Sequence, residues 1–398
     1  MLKLNRNSWF GPEMLLLSAI VLLVEFVRGA MLISFLPIYG AKQLGLSLDI
    51  IGIAITAHYL TDTGLKLMIG YLLDRFSVRF VVHLGLLICL AGVIILGFAG
   101  LPFLFIAASA IYGIGISPVW IVCLTKVTEE HRATQMGYLY TLWFIGLGAG
   151  PVVCNMLLDF SPAFTFYLLA GLSLLAWLLA LMISNKTLRK VQQIPFKEQV
   201  VILKEKLKQM KLLLPGMILQ TTGASMLVPI LPSFANKQLG ITNTQYSFIL
   251  MAGGLCTVLG LMPMGKLADK LGGKKWFLVL GFSLFAITVY MLTWKPPIWE
   301  CIVLAAILGL SYAALLPAWN ALLASYVPPS QQGLGWGVFS TIEGIGVMIG
   351  PVLGGMLASA NGETSVVMIS AILFGIIGLF YLWFPFRAFE GHQEQNSR

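Results

Sequence analysis

Charge is what this 398-residue chain has least of: Asp, Glu, Lys and Arg together make up 10% of it, against 58% hydrophobic residues. A soluble domain carries roughly a quarter charged residues, because its surface must face water. A soluble enzyme and a single-anchor receptor are therefore excluded. Cysteine is scarce as well. Cys89, Cys123, Cys154, Cys256 and Cys301 fall in or at the ends of apolar stretches and form no CxxC pair, so neither a disulfide framework nor a cysteine metal site is expected. Four histidines leave little for a catalytic centre, and His58 to Asp62 is one residue short of the HxxxxD spacing that acyltransferases often use. Gly260-x-x-x-x-Gly265-Lys266 begins like a phosphate-binding loop, yet Leu267 stands where Ser or Thr must hold magnesium. No catalytic residue, metal or cofactor is expected.

What the chain does have is apolar length. Twelve hydrophobic spans run from 14–38 to 363–384, six on either side of a polar stretch. A bilayer-crossing helix needs about 20 mainly apolar residues, so the expected fold is an all-α membrane protein of twelve transmembrane helices. The net charge of +9 follows position. With the N-terminus inside, 20 basic residues fall in cytoplasmic segments and only Lys42, Lys237 and Lys295 fall outside. This positive-inside pattern predicts a multi-pass cell-membrane protein with both termini cytoplasmic, and it removes nucleic acid as a partner. The first span is too long for a signal-peptide core and carries Glu25 and Arg28, so it is expected to be retained.

An internal repeat organises the spans. Leu36-Pro37 returns as Leu231-Pro232, Lys42-Gln43-Leu44-Gly45 as Lys237-Gln238-Leu239-Gly240, and Gly70-x-Leu-x-Asp74 as Gly265-x-Leu-x-Asp269, all at an offset of 195. Pro118-x-Trp120 matches Pro317-x-Trp319 at 199, and Gly146-x-x-x-Gly150-Pro151 matches Gly346-x-x-x-Gly350-Pro351 at 200. The chain thus reads as two pseudo-symmetric six-helix halves, 1–184 and 212–398, the second ending in a short cytoplasmic tail. Residues 185–211 join them. There, Phe196, Val200, Leu203, Leu207 and Met210 recur at helical spacing among lysines, which predicts a basic amphipathic helix on the cytoplasmic membrane surface. It serves either as a tether or as a site for anionic lipid.

A charged side chain in mid-bilayer costs at least about 2.5 kcal/mol on insertion scales, so each invites a functional reading. Glu25 and Arg28 lie three apart on one helix face. They form either a self-neutralising pair or a switch in which Glu25 takes a proton and frees Arg28 for substrate. His58 and Asp62 share a face of span two, with Lys66 one step on. Asp62 can titrate under the influence of both, while Lys66 is close enough to the cytoplasmic end to snorkel. Glu343, at the repeat position of Trp143, binds a proton or a sugar hydroxyl or faces a water-filled cavity. Glu25, Asp62, Glu343 and His58 are the candidate proton-coupling residues.

Trp120, Trp143 and Trp319 lie inside spans, away from the interfacial belt that tryptophan favours. Indole faces pack on the C–H faces of sugars and the indole N–H donates a hydrogen bond; core packing is the alternative. With Gln220 and Asn320 they join Glu25 and Arg28 as candidate headgroup residues. Gly146, Gly150 and Pro151 allow a neighbouring helix to approach closely and bend the span.

Gly70-Tyr-Leu-Leu-Asp74-Arg75-Phe-Ser-Val-Arg79 and Gly265-Lys-Leu-Ala-Asp269-Lys270-Leu-Gly-Gly-Lys274-Lys275 resemble the gating signature of major facilitator superfamily transporters, and Gly146-x-x-x-Gly150-Pro151 resembles its antiporter signature. The resemblance covers nearly the whole chain and implies the major facilitator fold, with a substrate path at the interface of the two halves. It assigns gating to Gly70, Asp74, Arg75, Arg79, Gly265, Asp269, Lys270 and Lys274. Ser77 departs from the glycine usual at its position.

A narrower likeness is carried by Glu25-Phe-Val-Arg28-Gly29, His58-Tyr-Leu-Thr-Asp62, Ser117-Pro118-Val-Trp120, Gln135-Met136-Gly137-Tyr138-x-Tyr140-x-x-Trp143, Pro215-Gly216-x-x-Leu219-Gln220 and Leu227-Val-Pro229-Ile-Leu-Pro232. These strings resemble the proton-coupled glycolipid flippases of Gram-positive bacteria, which move the diglucosyl-diacylglycerol anchor of lipoteichoic acid. The likeness implies a lipid or glycolipid substrate, protons as coupling ion, a headgroup site at Glu25, Arg28, Trp120 and Trp143, an essential Asp62, and an apolar cavity for the acyl chains in the second half. Lys66 and Glu343 depart from that pattern. The competing expectation is a proton-driven multidrug or antibiotic exporter, for which buried acids and aromatic rings serve equally well.

Overall fold

A computed structural model describes residues 11–125, 132–184, 213–271, 274–324 and 332–383, together with Val201 and Lys208. The linker predicted at 185–211 lies outside the described residues apart from those two, both exposed. Among the described residues the chain is helical throughout, and ten helices are each long and apolar enough to cross a membrane. The first half comprises α1 (Pro12–Lys42), α2 (Leu48–Arg75), α3 (Val78–Gly97), α4 (Pro102–Thr125), α5 (Arg132–Phe160) and α6 (Pro162–Ala180). The second comprises α7, in two pieces (Leu214–Ser225 and Leu231–Lys237), then α8 (Asn243–Leu271), α9 (Lys274–Met291), α10 (Ile298–Ala324), α11 (Gln332–Asn361) and α12 (Glu363–Trp383). α2 and α7 are the two that fall short as simple apolar spans: α2 carries Asp49, His58, Asp62 and Lys66 along its length, and α7 is broken.

Local chemistry fixes the ends. Pro12 and Pro162 stand in the first turns of α1 and α6, where a missing N–H costs nothing. Ser77 and Ser161 cap α3 and α6 by accepting from the backbone N–H of Phe80 (3.3 Å) and Phe164 (3.2 Å). The repeated Lys-Gln-Leu-Gly string is a helix stop: Gly45 (φ 62°) and Gly240 (φ 67°) both adopt the left-handed conformation that glycine reaches without strain. The Leu46 N–H then reaches back to Gly40 O (2.9 Å) and the Ile241 N–H to Ala235 O (3.2 Å), closing both turns alike.

Contacts divide the chain into two compact units, Met1–Gln193 and Ile194–Arg398. Each repeats one pairing scheme. In the first, α2 and α3 pack on α4, α1 on α5, and α3 and α1 on α6; in the second, α8 and α9 pack on α10, α7 on α11, and α9 and α7 on α12. Lipid tails offer no hydrophobic drive between helices, so close backbone approach and interhelical hydrogen bonds hold the bundles. A Cβ at Gly150 would strike Phe26 O on α1, and one at Gly146 would lie 2.8 Å from Glu25 Cβ; Gly346 and Gly350 seat α11 on α7 in the same way. Thr61 and Ser109 donate across the α2–α4 seam to Ala110 O (2.9 Å) and Ala54 O (2.8 Å), and Thr257 donates to Gly309 O (3.1 Å) across α8–α10. Many large apolar side chains, among them Phe103, Leu259 and Trp383, point outward.

The first helix of each half departs from a plain span, and each departs differently. In α1, residues 30–35 form a π-helical turn, with the Leu36 N–H reaching Met31 O. Gly150 meets Phe26 and Ala30, whereas Gly350 meets Thr222 and Met226, an offset of 196 on this helix. At Leu36-Pro37 and Leu231-Pro232 the offset is 195. The π turn absorbs the one extra residue of α1. In α7 the chain instead unwinds over residues 226–230, where the N–H groups of Leu227, Val228 and Ile230 bond three residues back. Pro229 lacks an N–H and disfavours helix at the residue before it.

Candidate functional site

Four of the predicted residues converge in the first half. Arg28 Nη2 lies 2.6 Å from Glu25 Oε2 on its own helix, and Nη1 lies 3.7 Å from Asp62 Oδ2 on α2. One guanidinium thus stands between two carboxylates from two helices. Its carbon also sits 5.8 Å from the centroid of the Trp143 ring on α5, a cation–π arrangement. Glu25 and Asp62 are each 4% exposed. Arg28 is therefore held by α1, α2 and α5 together, and Gly146 on α5 permits that closeness by leaving room at Glu25. The cluster carries two acids and one base, so it is one charge short of neutral when all three are ionised. At an effective dielectric constant of 20, a unit pair 4 Å apart gains about 4 kcal/mol, which ties the guanidinium to both acids.

His58, fully buried on α2, packs its ring against Tyr112 of α4 (4.9 Å between centroids) and edge-on to Tyr59 (5.5 Å). Tyr59 and Tyr112 were not singled out from the sequence, yet both lie within electrostatic reach of Arg28. The adjacency of Tyr59 to His58 was the one available signal; nothing in the local sequence marks Tyr112, which α4 supplies through packing. Trp120 meets Tyr140 of α5 in a T-shaped contact at 5.5 Å.

The second half brings together the proton-coupling candidate Glu343 and two headgroup candidates, Trp319 and Gln220. Glu343 Oε1 on α11 accepts from Trp319 Nε1 of α10 (3.0 Å) and from Gln220 Nε2 of α7 (3.4 Å). Trp319 is 2% exposed and lies edge-on to Tyr381 of α12. Asn320, next in the chain, is exposed. A polar cluster thus ties three helices of the second half. Glu343 holds the repeat position of Trp143, while Thr221 and Ala224 stand where Glu25 and Arg28 stand in the α1 register.

Of the gating positions, Gly70, Asp74 and Arg75 fall in the last turns of α2, Gly265 and Asp269 in those of α8, and Lys274 at the start of α9. Side chains at Lys66, Asp74, Arg75, Asp269 and Lys274 lie outside the described residues. Arg79 and Lys270 are exposed, and a Cβ at Gly265 would meet Pro317 of α10 at 3.8 Å, an ordinary contact. Pro151 accepts from Ser34 Oγ (3.3 Å), tying α5 to the π-helical turn of α1. Among the described residues no group of His, Cys, Asp and Glu side chains is arranged to hold a metal ion.

The proton-coupled antiporter flippase LtaA of Staphylococcus saprophyticus is 32% identical over 95% of this chain and 95% of its own length. That of Staphylococcus haemolyticus is 30% identical over 94% and 95%. Among solved structures, the nucleoside transporter NupG superposes with a TM-score of 0.78 at 15% identity, covering 96% of this chain and all of that one. A POT family transporter reaches 0.73 at 14% identity, over 94% and 96%. At such identities these two report the fold alone. The sequence profile of the Major Facilitator Superfamily matches residues 17–214 and again 213–398, once for each repeat-related set of helices, and the chain belongs to that superfamily.

Proposed function

We propose that this chain is a proton-coupled antiporter that flips a glycolipid anchor of the diglucosyl-diacylglycerol type across the cytoplasmic membrane by alternating access, in support of lipoteichoic acid assembly. The observation that carries the reading is Arg28 held between Glu25 and Asp62 against the Trp143 ring. A guanidinium and an indole face together suit a sugar headgroup, and carrying sugar hydroxyls through hydrocarbon unpaired costs several kcal/mol each. Protonating Glu25 or Asp62 neutralises one of the two acids that hold Arg28 and releases it towards a ligand, so proton and headgroup compete for the same guanidinium. The likeness to LtaA flippases over nearly the full chain supports both the substrate class and the antiport. Trp120, Gln220, Trp319 and Asn320 complete the headgroup assignment, with gating at the ends of α2 and α8. The basic cytoplasmic segments favour both termini inside.

Reconstitution tests this directly. In proteoliposomes containing fluorescent diglucosyl-diacylglycerol, an imposed pH gradient is expected to accelerate flipping, and Asp62→Asn to abolish that acceleration in a protein that still folds. Unchanged gradient dependence in Asp62→Asn overturns the coupling assignment. Absence of flipping by the wild type, together with drug resistance on expression, transfers the chain to the efflux reading.

A further inference from the structure

The first-half cluster has its own base, whereas Glu343 has none. It is faced from α7 by Gln220, from α10 by Trp319 and by the Tyr312 phenol within electrostatic reach, and from α12 by Tyr381 beyond the Trp319 ring. α11 carries no other charged residue. The charged groups of the packed helices stand at helix ends: Glu300 in the first turn of α10, and Lys237 with Glu363, which pair with each other at 3.5 Å. Among the described residues no cation meets Glu343. A carboxylate inside a membrane protein without a counter-ion is held by neutral donors alone, and it has a cheap alternative in taking a proton.

Geometry makes that proton consequential. Both donors converge on one oxygen, and they come from α10 and from the first piece of α7. Hydrogen bonds to an ionised acceptor are roughly twice as strong as neutral ones. A charged Glu343 therefore clasps α7, α10 and α11, and a neutral one loosens the clasp. Gln220 lies six residues before the unwound turn at 226–230, so the loosened element is a short helix whose regular hydrogen bonding ends at Ser225. Broken helices of this kind line the ion and substrate sites of transporters.

We propose that Glu343, with Gln220 and Trp319, forms a second proton-binding site, confined to the second half and titrating independently of Glu25 and Asp62. The buried cluster of each half then carries one carboxylate in excess of its bases, and the carrier binds up to two protons per cycle. Its part in transport rests on the antiporter reading above; its titration does not.

The test needs no substrate. Infrared difference spectra of the purified protein, recorded as the pH is cycled, report each carboxyl group that gains or loses a proton. Glu343→Gln is expected to remove one protonated-carboxyl band that Glu25→Gln leaves in place. Trp319→Phe is expected to move the frequency of that band without removing it, because the indole donor is lost; this variant serves even where Glu343→Gln does not fold. A wild-type spectrum in Glu343→Gln overturns the proposal, and so does loss of the same band in Glu25→Gln. A Glu343 band present in a protein that flips no lipid discards the transport reading and keeps this one.

Discussion

In the first half, the repeat places an acid and a base on α1 and an indole on α5; in the second, α11 carries the acid, α7 an amide and α10 the indole. The same helix pairings and the same glycine contacts thus support opposite solutions to the cost of a buried carboxylate. Glu25 and Asp62 share one guanidinium in direct contact, whereas Glu343 relies on two neutral N–H donors. Removing one partner of a buried ion pair is far more damaging than removing one neutral hydrogen bond, because a desolvated charge is left behind. The first half is accordingly expected to tolerate little change at its cluster, and the second half to tolerate more.

The sharpest way to break this comparison is Arg28→Ala, which strands two carboxylates. It is expected to cost about 3–5 kcal/mol and to abolish transport, read as a large fall in thermal unfolding midpoint in detergent; an unchanged midpoint would show that the acids are already neutral. Gly150→Val and Gly350→Val come next, at about 1–3 kcal/mol each, because both Cβ atoms would meet backbone of the preceding repeat helix. Similar losses in both variants would confirm that the helix seams are equivalent even though the charges are not. Trp143→Leu removes the ring facing Arg28 and is expected to cost about 0.5–2 kcal/mol, with a larger effect on headgroup affinity than on the unfolding midpoint. Lys237→Ala is expected to be smallest, at about 0.2–1 kcal/mol, since Lys237 is exposed and Glu363 keeps its bonds from Ser233 and Gln238. Its unfolding midpoint should also be the most salt-independent, and a large loss would mean that this end of α7 is held by charge.

Much of the architecture was legible because a bilayer imposes blunt rules. Span length and the repeat of Gly-x-x-x-Gly-Pro follow from hydrocarbon thickness and from the need for close helix approach. The Glu25–Arg28 pair was legible for the same reason, since its spacing of three is local to one helix. Asp62 was visible as a costly charge, but its pairing with Arg28 was not, because that contact depends on how α2 packs beside α1. The offset of the repeat changes within α1 itself. A constant offset of 195 along α1 sets Glu25 against Gln220, whereas the glycine contacts set it against Thr221, and only the π-helical turn explains the slip.

The sequence by itself determined that the chain crosses the membrane many times, that it is a duplicated six-helix unit, and which handful of charges are costly enough inside the bilayer to invite a functional reading, because apolar length and charge cost act residue by residue. Tertiary structure decided the partners: Arg28 shared between two acids, Trp143 turned to the guanidinium, and Glu343 joined to Trp319 and Gln220. Those contacts span helices far apart in the chain, and a side chain's charge state inside a membrane is set by its neighbours in space.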